Sequence, residues 1–298
     1  MKNLPMLLVI LLIAGCNRSK QSTPTSGETQ ILVTESHLEL LNEEATEFSR
    51  SYEAVRIHLA ATTTREAIVH FLNDSVQCIC IDRELNPEEQ DVAHNAGIKI
   101  TVNKIAIDAL VVVVHESNSL QSISMERLKE ILLGRITRWR QVPGSSVSGG
   151  LEFVLTGKNS GMYELLQRKF FRLSQELVPA KVGATQEEIV RYVAATPQAL
   201  GVVSLAALRN RPKEIRLLAI ETTDSTLQKQ NVEASQINIY RSLYPMNYSL
   251  YLYVSERRQA VGSGFSSFVL TTIGQKIVQN YGLVPERIPN RIIQLTSE

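Results

Sequence analysis

The 298-residue sequence predicts an α/β fold, and three observations carry that prediction. Short apolar strands alternate with segments of helical periodicity along most of the chain, which is α/β organisation. Many handovers from strand to helix run through Ser, Thr or Asn, whose side-chain oxygens cap helix N-termini. Composition is that of an ordinary globular protein, 44% hydrophobic and 20% charged, with no internal repeat or heptad run.

Taken in order, Ile31 to Val33 reads as a strand, and Leu38, Leu41, Ala45 and Phe48 then recur on one helical face. Val55, Ile57 and Leu59 alternate as a strand before Ala67, Ile68, Phe71 and Leu72 return to helical spacing. Val76 to Ile81 is a buried strand. Asn86-Pro87-Glu88-Glu89 opens a helix with a cap residue, Pro at the first helical position and a carboxylate three residues after the cap. Asp108 to Val114 is the most strand-like run of all, and Ser124 to Leu133 is a capped amphipathic helix stopped by Gly134. Further strands are predicted at Glu152 to Leu155, Leu200 to Val203 and Leu250 to Val254. Thr185-Gln186-Glu187-Glu188 opens a helix as a capping box, and one last helix runs through Phe265, Phe268, Val269 and Ile273 towards Val278.

At the N-terminus, Met1-Lys2 lead into the apolar run Leu4 to Ile13 and then Ala14-Gly15-Cys16. One positive charge, a short apolar core and a small-residue exit before a cysteine describe a lipoprotein signal peptide over residues 1–15, cleaved so that Cys16 is lipidated. The run is too short to span a bilayer, which takes roughly 20 apolar residues. Residues 16–29, rich in Ser, Thr, Gln, Pro and Gly, bury too little surface to offset the entropy of ordering and read as a tether.

Removing Lys2 from the 31 basic residues leaves 30 against 30 acidic ones, a balance that disfavours non-specific nucleic-acid binding. Cys78 and Cys80, the only other cysteines, stand two apart on an apolar strand and share one face, as buried strand residues do. His37, His58, His70, His94 and His115 show no paired spacing for a metal.

Three times an apolar strand meets a helix through short polar residues: Thr34-Glu35-Ser36, Thr62-Thr63-Thr64 and Asn159-Ser160-Gly161. A helix N-terminus presents unpaired N–H groups and about half a positive charge, so several such ends converging on a cleft would make an oxyanion site without metal. Spacing alone leaves a second explanation open, because Ser36 with Glu39 and Thr63 with Glu66 each fit a capping box.

The run Ile105 to Val114, followed by Leu128 to Gly134 and Arg135-Ile136-Thr137-Arg138-Trp139, resembles the central signature of phosphate-type substrate-binding proteins of ABC transporters. Cys80-Ile81-Asp82-Arg83-Glu84-Leu85 is similar to that family's strand ending in Ser-Arg-x-Leu. Arg191 to Val203, through Pro197-Gln198-Ala199-Leu200-Gly201, resembles its Tyr-Val…Pro-x-Ala-Ile-Gly turn. Gly274 to Val278 with Gly282-Leu283-Val284-Pro285 resembles its C-terminal helix and exit. The matches cover the chain after the tether, in the family's order.

The resemblance implies a two-lobed periplasmic-binding-protein-like fold (type II), each lobe a mixed sheet flanked by helices. Residues 30–107 with 242–298 would form lobe 1 and 108–241 lobe 2. It implies capture of an oxyanion, inorganic phosphate, between closing lobes for an ABC transporter permease, with no cofactor and no catalysis. Carried over position by position, the ligand shell is Ser36, Thr63, Thr64, Asp82, Arg83, Asn159, Ser160 and Gly161. Hydroxyls and N–H groups would donate to the anion, Arg83 would supply a forked charged donor, and Asp82 would accept the proton of hydrogen phosphate. For Arg83 a salt bridge to Glu84 or Glu88 competes with the ligand role, and Asp82 also fits a turn cap.

The chain departs from the family in its loops. Glu35 stands where Gly is common, Thr62 to Thr64 replace glycines, Ile81-Asp82 replace Ser-Ser, and Met162 follows Ser160-Gly161. An upstream Arg is Thr156, with Lys158 nearby. These departures keep a second reading in view, a degenerate fold acting as a membrane-anchored sensor or interaction module. A hydrolase built on Ser160 would need a histidine after it in a Ser…Asp…His order, and His115 is the last in the chain.

Overall fold

The computed structural model describes residues 22–172, 174–223, 228–256 and 260–288; the stretch read as a signal peptide, Cys16 and the tether as far as residue 21 lie outside them. The chain begins with β1 (Gly27–Thr34), three residues inside the stretch read as tether. Those residues are drawn into the sheet because β1 pairs in parallel, residue for residue, with β2 (Val55–Thr62). A 3-10 turn (Glu35–His37) and α1 (Leu38–Ser51) connect the two strands, and α2 (Thr64–Leu72), β3 (Cys78–Ile81) and α3 (Pro87–Asn95) follow. Next comes β4 (Ile100–His115), 16 residues long.

The second lobe adds β5 (Ser122–Ser124), α4 (Met125–Leu132), β6 (Glu152–Thr156), α5 (Gly161–Phe171), β7 (Lys181–Gly183), α6 (Gln186–Ala195) and β8 (Ala199–Ser204). After β9 (Ile215–Leu217), β10 (Ala219–Thr223), β11 (Lys229–Val232) and α7 (Gln236–Tyr240), the chain returns through β12 (Asn247–Ser255). It closes with α8 (Val261–Val269), α9 (Thr272–Tyr281) and β13 (Val284–Pro285).

One long strand ties the lobes together. The Ile100–Ala109 part of β4 pairs antiparallel with β12, and its Leu110–Val114 part pairs antiparallel with β8. The main sheet therefore runs β2-β1-β3-β12-β4-β8-β6-β7, while β11, β10 and β5 form a small sheet of their own. Both faces of β1 from Ile31 onward and of β3 are covered, which explains their continuous apolar sequence. Ile31, Val33, Cys78 and Cys80 pack with Leu41, Phe48 and Phe265, while Leu32, Ile79 and Ile81 point the other way against Ile68 and Phe71. The second lobe repeats the device. Val112 and Val114 face Leu128, Trp139 and Leu166, whereas Val111 and Val113 face Ile189 and Val193. Trp139 is wholly buried and donates its indole N–H to the Gln198 carbonyl at 2.9 Å.

Three local details differ from the sequence reading. The last helix is two, because Thr271 turns its hydroxyl to the Phe268 carbonyl (2.7 Å) and accepts from the Gly274 N–H (3.3 Å), ending α8 and capping α9. The capping boxes at Thr63 and Asn86 form, but Ser36 makes no box with Glu39, since its hydroxyl meets His37 at 3.2 Å. Thr185 caps α6 by accepting from the Glu188 N–H, while the Glu188 carboxylate accepts from Ala184 N–H instead of closing the box.

Candidate functional site

Parallel strands carry their C-terminal ends to one edge, where loops and helix starts leave a crevice. In the first lobe Thr34 lies opposite Thr62, and β3 ends at Ile81 beside them; in the second, Thr156 lies opposite Gly183. Between these edges is a cavity of about 280 Å³. Thr34, Glu35, Ser36, Thr62, Thr63, Thr64, Glu66 and Asp82 line it from the first lobe; Thr156, Ser160, Gly161, Met162, Thr185 and Gln186 line it from the second.

The starts of α2, α5 and α6 converge there. Ser160 caps α5 by accepting from the Tyr163 N–H (3.2 Å), and its hydroxyl also meets Thr156 Oγ1 at 2.6 Å. Thr64 donates its hydroxyl to Asp82 Oδ1 at 2.7 Å. Asp82 is buried against α5 across the cleft, so closely that a methyl group at Gly161 would collide with both of its carboxylate oxygens. Glu35 likewise crosses between lobes, accepting from the Gln186 N–H at the first residue of α6 (3.3 Å). Thus two first-lobe carboxylates meet two second-lobe helix N-termini, where backbone N–H groups favour negative charge.

All the charged residues lining this cavity are acidic: Glu35, Glu66 and Asp82. Burial pushes the Asp82 carboxyl above the ordinary carboxylate range, opposed by the Thr64 hydroxyl and the charges of His37 and Arg83. Burial also raises Glu35, with the Gln186 N–H opposing. Glu66 is held below its usual range by hydrogen bonds from Thr62 and Thr63.

Six of the eight ligand positions read from the sequence, Ser36, Thr63, Thr64, Asp82, Ser160 and Gly161, come together around this cavity. The other two do not. Arg83 is turned away, its Nη1 and Nη2 gripping both oxygens of Glu89 (2.7 and 2.8 Å) and its Nε reaching Glu164 Oε2 (2.7 Å). Neither competing partner, the Glu84 carboxylate nor Glu88, holds it; Glu84 contributes only its carbonyl, at 2.8 Å from Nη1. The guanidinium is spent on structure because Glu89 is fixed over the α3 cap and Glu164 on α5 presents a second carboxylate. Asn159 shares a separate surface hollow with Arg83, and Lys158 pairs with Glu176 at 2.8 Å. Among the described residues no histidine stands beside Ser160, whose side-chain partner is Thr156.

Sequence reasoning missed Thr185 and Gln186 as cleft residues, although it placed a helix start there; nothing in the spacing says that α6 points into the same crevice as α5. It also missed the buried set behind Ser36. The His37 imidazole, fully buried, sits with Nδ1 at 3.1 Å from Thr34 Oγ1 and Nε2 at 2.9 Å from Asp108 Oδ2. A lone His beside a Ser, 71 residues from its Asp, leaves no pattern to find.

A PBP superfamily domain model matches residues 18–272, and the chain belongs to that superfamily. Among curated relatives, the phosphate-binding protein PstS of Borreliella burgdorferi is 27% identical over 210 residues, spanning 68% of this chain and 70% of that one. Protein SphX of Synechococcus elongatus is 24% identical over 251 residues, 81% of this chain and 72% of that one. A Clostridium perfringens crystal structure with bound phosphate superposes with a TM-score of 0.76 at 19% identity, over 88% of this chain and all of that one. An ABC-type phosphate transport receptor from Vibrio cholerae gives 0.69 at 18% identity, covering 87% of this chain and 100% of its own. At these identities the superpositions show the fold, the two-lobed binding-protein architecture.

Proposed function

We propose that this chain is an extracytoplasmic solute-binding lipoprotein that captures an oxyanion, inorganic phosphate, between its lobes for an ABC transporter permease. The observation that carries the reading is the convergence of hydroxyls and three helix starts on one small cavity with Asp82 in its wall. The names of the PstS and SphX relatives and the phosphate held by a structural neighbour support the choice of anion. Residues 30–107 with 242–298 act as one lobe and 108–241 as the other. Residues 1–15 are the signal peptide, Cys16 carries the lipid, and the following residues hold the binding domain off a membrane surface, periplasm-facing or at the cell exterior.

Phosphate suits an acidic cavity because it brings its own proton. The O–H of hydrogen phosphate donates to the Asp82 carboxylate, which the Thr64 hydroxyl holds in place, while its remaining oxygens accept from the hydroxyls of Ser36 and Ser160 and from N–H groups at the starts of α2, α5 and α6. Sulfate carries no proton at neutral pH and would set bare oxygens against the Asp82 lone pairs, a like-charge contact that a binding site uses for rejection.

Titration calorimetry with phosphate and then sulfate tests this, on protein unfolded and refolded to strip carried-over ligand. Saturable phosphate binding is expected, with sulfate far weaker. Ser160→Ala should weaken phosphate by roughly tenfold, about 1.4 kcal/mol, and Asp82→Asn should narrow the gap between the two anions. A folded sample that gives no heat with either anion sinks the reading and favours a module that binds a protein partner. For the anchor, Cys16→Ser should abolish incorporation of labelled fatty acid; labelling that persists would refute it.

A further inference from the structure

No lysine, arginine or histidine lines the interlobe cavity among the described residues, yet one basic side chain lies directly behind two of the hydroxyls that do. The Nδ1 of His37 stands 3.1 Å from Thr34 Oγ1 and 3.2 Å from Ser36 Oγ. Its Nε2 faces Asp108 Oδ2 at 2.9 Å. Asp108 also accepts the Tyr248 O–H (2.9 Å) and the Ala109 N–H (2.7 Å), so it meets three donors, and Nε2 must carry a hydrogen. Burial and Asp108 together keep the Tyr248 phenol protonated far above its ordinary range, so its hydrogen stays on that bond.

With Nε2–H committed to Asp108, only Nδ1 is free to change. In the neutral imidazole it is a bare acceptor and takes the hydrogen of Thr34 or Ser36. A hydroxyl has one hydrogen, so that oxygen then turns only lone pairs to the cavity. In the imidazolium, Nδ1–H donates instead, both hydroxyls are released to donate to an anion, and the positive charge is paired with Asp108 in a fully hydrogen-bonded setting. The charged and titratable groups around the ring are Asp108 on β4, Tyr248 on β12, Asp82 after β3, which feels the charge of His37, and Glu35 on the same turn.

We propose that His37 is a positioning residue that sets the direction of the Thr34 and Ser36 hydroxyls and takes up a proton as the anion enters. This rests on the oxyanion-binding reading above. Linkage makes it reciprocal: an anion that prefers donors favours the imidazolium, and the imidazolium favours the anion. No covalent step is involved; the proton comes from solvent and returns there on release.

The test uses the whole protein with 15N-labelled histidine, the His37 signals being identified by their loss in His37→Gln. Without anion at pH 8, Nδ1 should give the signal of an unprotonated nitrogen; saturation with phosphate should convert it to a protonated one. Calorimetry in buffers of different ionisation enthalpy should then show up to one more proton taken up by the wild type than by His37→Gln. Where that proton is required, affinity falls by up to tenfold more per pH unit in the wild type. Asp108→Asn, which keeps the ring but removes its counter-charge, should also lose the extra proton and keeps the test alive should His37→Gln fail to fold. An Nδ1 signal that phosphate leaves unchanged, or equal proton uptake in wild type and variants, overturns the proposal while phosphate binding stands. No heat with phosphate from folded protein overturns both.

Discussion

Glu44 sits on the core face of α1 beside Leu41, Ala45 and Phe48, with both carboxyl oxygens buried and no hydrogen-bond partner. Burial pushes its pKa up from the ordinary 4.5 to about 9, Glu43 adding to the rise. The unfolded chain releases this proton near pH 4.5 while the folded one keeps it to about 9, so between those values the native state binds more protons. Stability from this group therefore falls as pH rises across that window, by up to about 1.4 kcal/mol per pH unit. Glu44→Met, which fills the same space with no polar atom, should raise the melting temperature, and its advantage should widen from pH 5 to pH 9. A constant advantage across that range would show that Glu44 does not carry the proton. At the same scale, Asp82 obeys the same burial rule but has the Thr64 hydroxyl as a partner, which opposes the rise.

The helix start is the element on which the site depends, and α5 shows how tight its geometry is. Gly161 is the first residue of α5 and leaves just the room that the Asp82 carboxylate takes across the cleft. Gly161→Ala puts a methyl group where those oxygens lie, and Asp82, buried and bonded to Thr64, has little freedom to move. The variant should fold, since Ala favours a helix over Gly by roughly 1 kcal/mol, and yet lose at least about tenfold in phosphate affinity, on the order of 1.4 kcal/mol. Unchanged affinity by calorimetry would mean that the two lobes do not meet at this point when the anion is bound. The elements themselves were legible in the sequence because each is written locally: the apolar runs of β1 and β3, the alternation of β2, the caps at Thr63, Asn86, Ser124 and Thr185, the glycine after α4. Convergence was not. Arg83 belongs to a loop that reaches the cleft, but its side chain is claimed by Glu164, 81 residues away, and α6 joins the site only through the register of the second-lobe strands. Such partners lie at sequence separations on which neither periodicity nor capping bears.

At the scale of the whole molecule the two lobes are held shut by polar contacts flanking the cavity. Arg83 reaches Glu164 at 2.7 Å beside α5. Beyond the α6 end, Arg209 meets Glu43 at 2.6 Å and lies 4.3 Å above the Tyr281 ring, linking the stretch between β8 and β9 to α1 and α9. The Glu35 bond to α6 adds a third clasp. These contacts are made between protein groups alone, so they add a favourable term to closure beside whatever the anion supplies. Exposed ion pairs contribute only about 0.2–1 kcal/mol each, but Arg83 is 5% exposed and bonded on three nitrogens, so its loss should weigh more. In Arg83→Ala/Arg209→Ala, small-angle scattering without phosphate should therefore give a larger radius of gyration than the wild type, and phosphate should restore the compact value. The apparent affinity falls by the fraction of molecules left closed, and a coupling of about 1–3 kcal/mol corresponds to a 5- to 150-fold loss. Raising ionic strength should move the wild type part of the way by screening the more exposed Arg209 pair and leave the buried Arg83 pair in place. If the wild type itself contracts on adding phosphate as much as the double variant does, the clasps do not hold the resting protein closed, and the anion alone supplies the energy that shuts the cleft.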